Sequence, residues 1–135
     1  ARSVQVPVLL VPGIMGSKVS GLIYPSLAFS AADAKWNSGK LKLHDPAFAG
    51  VHAGWGTVGW TQLEKYFEKE GYKKGCTLFE VPYDWSLPIE SIVEQYLVPW
   101  INEAKRISKS DQVDIVAHSM GGLVTRVYIQ SDKYA

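Results

Sequence analysis

The segment that most limits how this chain can fold is the hexapeptide Ala117-His118-Ser119-Met120-Gly121-Gly122, which stands between an apolar run and a helical one. The preceding residues, 113–117, have the composition of a short buried strand. After Ser119, apolar side chains recur every three or four residues, at Met120, Leu123, Val124, Val127 and Tyr128. This spacing predicts an amphipathic helix. A strand and a helix so close together leave room for one sharp turn, and Ser119 occupies it.

A serine on such a turn is held in a strained backbone conformation that lifts its hydroxyl clear of the sheet. The residues two before it and two after it must be small, because the turn brings their backbones together. Ala117 and Gly121 meet this requirement, although the usual pattern has glycine at both places. The pattern predicts that Ser119 is the nucleophile of a hydrolase. The alternative is a plain strand–turn–helix with a surface serine.

A serine nucleophile needs a base, and this chain offers none in the expected order. In hydrolases built on this turn, the acid and the histidine follow the serine along the chain. Only 16 residues follow Ser119, and none is a histidine. His118 is adjacent to the serine, Asp132 is predicted to point away from it, and His44 and His52 precede it. We therefore expect the nucleophile-bearing half of a larger enzyme, which by itself hydrolyses short esters poorly.

The composition fits one globular domain over residues 1–135, because 47% of the residues are hydrophobic. A net charge of +1 gives no electrostatic reason for a nucleic-acid partner. The longest apolar run, 6–12, is too short to span a bilayer. Cys76 is the single cysteine, which excludes an internal disulfide, and we expect it to be half-buried. No histidines and carboxylates have the spacing of metal ligands, so neither a metal nor a cofactor is predicted.

Strands and helices are predicted to alternate along the chain. Strands are expected over residues 4–11, 77–81 and 113–117. A helix from Trp60 to Glu70 should end at Gly71, and a longer one should begin near Pro88 and be kinked by Pro99. With the helix after Ser119, this order predicts an α/β fold, in which parallel strands are joined by right-handed crossovers.

Residues 18–59 lack clean periodicity and are expected to form an irregular, lid-like excursion with one or two short helices. The excursion and its end are rich in aromatic residues, at Trp36, Phe48, Trp55 and Trp60. Packing on the core explains such residues, and a lid that faces lipid is the alternative. His44 and His52 are expected to be surface residues of the excursion.

Three loops should meet at the carboxyl ends of the strands, where open parallel sheets carry their active sites. They are the loop at 13–16, the loop at 83–86 and the turn at Ser119. An acyl-transfer site needs two donors aimed at the developing oxyanion. The backbone amides of Met120 and Ile14 are the candidates for these donors. Asp84 is expected to be structural, either capping a helix or accepting hydrogen bonds from neighbouring loop amides.

Three motifs of this chain resemble one family, the lecithin:cholesterol acyltransferase-like α/β-hydrolases. The run 11–17, Val-Pro-Gly-Ile-Met-Gly-Ser, is similar to the family's first-strand motif, and the hexapeptide 117–122 is similar to its nucleophile elbow. Its second signature is matched by Gly71-Tyr72, Gly75, Leu78-Phe79 and Pro82-Tyr83-Asp84-Trp85. The chain departs from the family in two ways. Ser86 replaces the usual arginine, and the family's acid and histidine have no counterpart here.

The resemblance implies the N-terminal part of an α/β-hydrolase domain with three parallel strands in the order 2-1-3. Strand 4–11 then lies between strands 77–81 and 113–117. The resemblance also implies Ser119 as the nucleophile, with the Ile14 and Met120 amides as oxyanion-hole donors. Without a later strand beside it, the outer edge of 113–117 should be left unpaired.

The function expected from the residues and the resemblance is hydrolysis of carboxylic esters of lipids, as in a lipase, esterase or phospholipase. Acyl transfer to an alcohol is the alternative within the family. A catalytically inactive binding or structural domain is the alternative from another class. The expected partners are an ester or lipid substrate and the remaining C-terminal part of the same enzyme. A transient contact with a membrane or lipid surface is also expected. The expected location is secreted or extracytoplasmic.

Overall fold

The computed structural model describes residues 5–13, 17–19, 35–43 and 60–134. The strands are β1 (Val8–Val11), β2 (Ser17–Val19), β3 (Leu41–Leu43), β4 (Leu78–Glu80) and β5 (Asp114–Ala117). The helices are α1 (Trp60–Lys69), α2 (Ile89–Ile92), α3 (Val98–Ser108) and α4 (Met120–Ile129), and a π-helical turn, Val93–Leu97, joins α2 to α3. Each strand and helix predicted outside the excursion 18–59 is therefore present, and each of the three strands is shorter than expected. The short helices expected in the excursion are not found among its described residues.

The main sheet has β1 at its centre, with β4 on one side and β5 on the other, both parallel to it. In this register Leu9 lies opposite Phe79 on β4 and Ile115 on β5. The predicted fold class and strand order are confirmed. A second, antiparallel sheet of β2 and β3 was not indicated by the sequence.

Helices cover both faces of the main sheet, because successive residues of β1 point in opposite directions. Leu9 and Val11 pack on one face with the segment 89–108 and α4. Val8 and Leu10 pack on the other face, against residues of α1. All four residues of β1 are at most 3% exposed. A strand buried on both faces needs the continuous apolar run that predicted it.

α1 ends, and the longer helical segment is interrupted, close to where the sequence indicated. α1 ends two residues before Gly71, whose φ of +100° lies in the left-handed region that favours glycine. The disturbance expected at Pro99 takes the form of the π turn just before it, where the Val98 amide donates to the Val93 carbonyl. The wider turn accommodates a residue that has no N–H and whose ring crowds the preceding turn.

Only part of the predicted excursion at 18–59 belongs to the described residues. Trp36 packs against the main core and makes an edge-to-face contact with Trp100, with ring centroids 5.3 Å apart. This contact favours core packing for that residue. Phe48, Trp55, His44 and His52 lie outside the described residues, as does most of the lid-like segment.

Two further features of the described residues concern the surface. The expectation for Cys76 was wrong, because the residue is exposed in the turn before β4 rather than half-buried. Within the described ranges, no helix is long and apolar enough to cross a membrane.

A groove of about 500 Å³ lies beside the start of β5, and none of its lining residues belongs to β1. Its lining comes from α3, β5 with the loop before it, α4 and Tyr134. β5 is one of the two edge strands of the sheet among the described residues, so the groove borders the edge predicted to be unpaired.

The carboxyl groups of Glu64 in α1 and Glu80 in β4 form a pair on the face of the sheet that α1 covers. Glu64 is only 4% exposed and makes an ion pair with Lys74. Burial, together with a hydrogen bond to Glu64 and the charge of that residue, raises the pKa of Glu80 from 4.5 to about 7. The charges of Lys74 and Lys42 act in the opposite direction. Two carboxyl groups in contact share a proton more readily than they carry two charges.

Because of this carboxyl pair, we expect the stability of the folded protein to fall as the pH rises. The folded protein holds the Glu80 proton more tightly than the unfolded chain, so this stabilisation is complete at low pH and is lost as the pH rises through the folded pKa. We expect the free energy of unfolding to fall between pH 4.5 and about 7. Denaturant unfolding at a series of pH values measures this. E80Q, which donates to Glu64 at every pH, should flatten the curve, whereas E70Q, at an exposed position, should not. Equal slopes in wild type and E80Q would contradict the assignment.

Candidate active site

Ser119 stands between β5 and α4 in a backbone conformation that L-residues rarely adopt. Its φ is 56° and its ψ is −121°, as the prediction of a strained turn requires. The side chain is exposed, and its hydroxyl makes no capping hydrogen bond to α4, all of whose residues the structure describes. The turn therefore presents a hydroxyl that is not used to stabilise its own helix.

Backbone contacts with the end of β1 hold the turn in place. The His118 amide donates to the Val11 carbonyl at 3.1 Å, and the Gly121 amide donates to the His118 carbonyl at 3.0 Å. A methyl group on Gly121 would lie 2.3 Å from the Val11 carbonyl oxygen and 2.6 Å from that of Pro12. Glycine is thus required two residues after the serine. Ala117, the departure two residues before it, is exposed, so its methyl group is tolerated.

The loop after β1 touches the serine directly. Gly13 is buried, and a Cβ added to it would lie 2.9 Å from the Cβ of Ser119 and 3.0 Å from the His118 carbonyl oxygen. Gly13, the residue before Ile14, therefore lies beside the candidate nucleophile. Ile14 itself lies outside the described residues, and its role as an oxyanion donor stays a prediction.

Met120, the other predicted donor, is the first residue of α4. The first amides of a helix have no carbonyl acceptor within the helix, and the helix dipole favours negative charge at this end. The position of Met120 is compatible with donation to an oxyanion. That role also stays a prediction.

Asp84 is engaged by its own loop, as expected for a structural residue. One carboxylate oxygen accepts hydrogen bonds from the Ser86 amide at 3.0 Å and from the Ser86 hydroxyl at 2.6 Å. The carboxylate is 6% exposed, so these donors compensate the loss of water. Ser86, which departs from the family pattern, therefore has a polar role. α2 follows Pro88 without a side-chain cap, so Asp84 bonds to the loop rather than capping the helix.

Tyr83 is the residue of this region that sequence reasoning missed. Its side chain is completely buried, and its hydroxyl donates to the Pro12 carbonyl at 2.5 Å. Burial raises the pKa of this hydroxyl well above its ordinary value, so it remains a neutral donor. The second signature of the family contains this tyrosine. No pattern in the sequence indicated that its hydroxyl would bond to Pro12, in the loop after β1.

The described residues do not supply a base for Ser119 in the arrangement of a triad. His118, the histidine within them, is exposed on the turn itself and precedes the serine. The side chain of Asp132 is 94% exposed and lies 3.7 Å from the Lys133 ammonium, beyond the end of α4. In the same part of the chain, no group of three or more His, Cys, Asp or Glu side chains is placed to hold a metal ion.

Two adjacent glycines of α4 allow a matched test of the turn. G121A forces a methyl group against the carbonyls of Val11 and Pro12, and overpacking of this kind costs about 1–3 kcal/mol. A Cβ at Gly122 meets nothing within 4 Å, so G122A should stabilise the helix by about 0.4–1 kcal/mol. Denaturant unfolding of both variants measures the difference. Equal effects of the two substitutions would contradict the close approach at Gly121.

Comparison with known proteins agrees with the motifs. A model of the lecithin:cholesterol acyltransferase family matches residues 49–135, which include β4, β5, α4 and Ser119. The chain is 30% identical over 95 residues to a rice protein (Oryza sativa subsp. japonica), "Lecithin-cholesterol acyltransferase-like 1". This alignment covers 64% of the chain and 21% of the relative, so the chain spans about a fifth of the length of the curated relative it matches. No solved structure matches the chain significantly.

The family model covers well over half of the sequence. The chain belongs to the lecithin:cholesterol acyltransferase family.

Proposed function

We propose that this chain carries the nucleophile of an enzyme that cleaves or transfers the acyl group of a lipid ester. The observation that carries the proposal is the strained conformation of Ser119, with its hydroxyl exposed and the loop of Gly13 packed against it. A strained residue persists only where surrounding contacts impose it, and such residues cluster at functional sites. Membership of the family supports an ester or lipid as the substrate class.

In the proposed reaction, the Ser119 oxygen attacks the ester carbonyl carbon while a base takes the hydroxyl proton. The carbonyl oxygen becomes an oxyanion between the amides of Met120 and Ile14. Collapse of this intermediate breaks the bond to the alcohol, which leaves with the proton and yields an acyl-serine. We propose that the base is a histidine, oriented by an acid, in sequence that follows Ser119 in the complete protein.

The fate of the acyl-serine separates two candidate activities. Attack by water gives hydrolysis, and attack by a second alcohol gives acyl transfer. The name of the rice relative favours acyl transfer. Hydrolysis is the activity expected from the residues and the resemblance. The remaining alternative is a binding or structural domain without catalysis. Contact with a lipid surface and a location outside the cytoplasm stay predictions.

Substitution of the nucleophile tests the proposal in the complete protein. We expect S119A to lower ester turnover by roughly 10³-fold or more, because the covalent step is lost. A fluorophosphonate probe should label wild type at Ser119 and leave S119A unlabelled, as mass spectrometry of the tryptic peptides can establish. S110A, with a serine whose hydroxyl bonds to the Gln112 carbonyl, is the matched control and should keep full activity. Undiminished turnover in S119A would contradict Ser119 as the nucleophile, and a wild type with neither turnover nor labelling would favour the non-catalytic alternative.

The groove beside β5 supports a proposal for the rest of the enzyme. Along a strand, successive amides point to opposite sides. The Asp114 and His118 amides donate towards β1, to the carbonyls of Pro7 and Val11. The amides of Ile115 and Ala117 must therefore point away from β1, and Ile115 also lines the groove. We propose that a further strand, from the remaining C-terminal part of the same enzyme, pairs with this edge.

Hydrogen exchange distinguishes the two sets of amides. In the 135-residue chain, studied at concentrations where it is monomeric, we expect Ile115 and Ala117 to exchange rapidly and Val116 to be protected. In the complete protein, all three amides should be protected, because the outer edge is then paired. Protection of Ile115 and Ala117 in the monomeric 135-residue chain would contradict the proposal.

A further inference from the structure

The hydrogen bond from Tyr83 to Pro12 joins two loops that meet beside Ser119. Tyr83 follows β4, and Pro12 follows β1, so the bond spans neighbouring strands at their carboxyl ends. At 2.5 Å it is a close contact, and the tyrosine side chain is fully buried. The acceptor is the peptide oxygen immediately before Gly13.

Fixing this oxygen fixes the direction in which the chain continues. The proline ring already restricts φ of residue 12, so ψ is the remaining soft torsion that orients the peptide between Pro12 and Gly13. The hydroxyl of Tyr83 holds that peptide from one side. The Pro12 oxygen also lies against Gly121, where an added methyl group would approach it to 2.6 Å. The same peptide oxygen thus meets both Tyr83 and the first turn of α4.

The chain that leaves this peptide enters the site directly, since Gly13 packs against Ser119. We propose that Tyr83 is a positioning residue, whose hydrogen bond to the Pro12 carbonyl sets the loop after β1 in register with Ser119 for stabilisation of the oxyanion. This inference rests on the proposed function. Tyr83 does not touch the substrate, and it acts through the loop.

A purely structural role for the tyrosine is the competing explanation. A buried hydroxyl needs a partner, and its loss destabilises a fold whether or not a site is nearby. Tyr96 is the matched control for this explanation. It is 2% exposed, packs against Tyr83 with ring centroids 6.4 Å apart, and has its hydroxyl near Asp84, in the loop after β4.

The experiment compares Y83F with Y96F in the complete protein. We expect Y83F to lower kcat for a soluble ester by roughly 10- to 100-fold with little change in KM, because small misplacements of catalytic groups cost this much. Y96F should keep the wild-type kcat, although both variants lower the thermal unfolding temperature. A wild-type kcat in Y83F, or an equal loss in Y96F, would overturn the inference.

Hydrogen exchange provides a readout that does not depend on turnover. The amide of Gly13 should exchange faster in Y83F than in wild type, and Y96F should leave it unchanged. If wild type and S119A have the same turnover, the proposed function fails. The positioning of the loop after β1 by Tyr83 is then tested by hydrogen exchange alone. An unchanged exchange rate of the Gly13 amide in Y83F would overturn it.

Discussion

The close approach between the end of β1 and the turn at Ser119 is the contact on which the site depends. It requires backbone against backbone, and glycine provides the space on both sides. Gly13 lies against the side chain of Ser119, and Gly121 lies against the carbonyls of Val11 and Pro12. Any side chain at either position would push the loop away from the turn. The two predicted oxyanion donors, one on each segment, would then move apart.

This approach is possible because the sheet holds β1 rigidly between its neighbours. Every residue of β1 is buried, with Leu9 and Val11 covered by one set of helices and Val8 and Leu10 by α1. Strands paired on both edges and covered on both faces open rarely. The strain at Ser119 is therefore imposed by a part of the fold that moves little, which is what a preorganised site needs.

The sequence predicted what depends on local pattern. Apolar runs located the three strands, the three- and four-residue spacing located α4, and small residues around Ser119 predicted its strained turn. The strand order came from the family resemblance.

Contacts between distant side chains could not be predicted, because nothing local specifies them. The bond from Tyr83 to Pro12, the contact of Glu64 with Glu80 and the pairing of β2 with β3 are of this kind. Cys76 was misjudged because an apolar residue type does not reveal which side of a turn it occupies.

The proposed reaction develops a negative charge beside Ser119, and the charges of the described loops bear on it. An unpaired carboxylate near an oxyanion would raise the energy of the transition state. Asp84, the acid in the loop after β4, accepts two hydrogen bonds from Ser86, so part of its charge is offset within its own loop. Tyr83 stays neutral, because burial raises the pKa of its hydroxyl. The first turn of α4 adds the positive end of a helix dipole. Of these features the N-terminus of α4 favours an anion beside Ser119, which supports the proposed role of the Met120 amide. The described residues leave proton transfer to other groups.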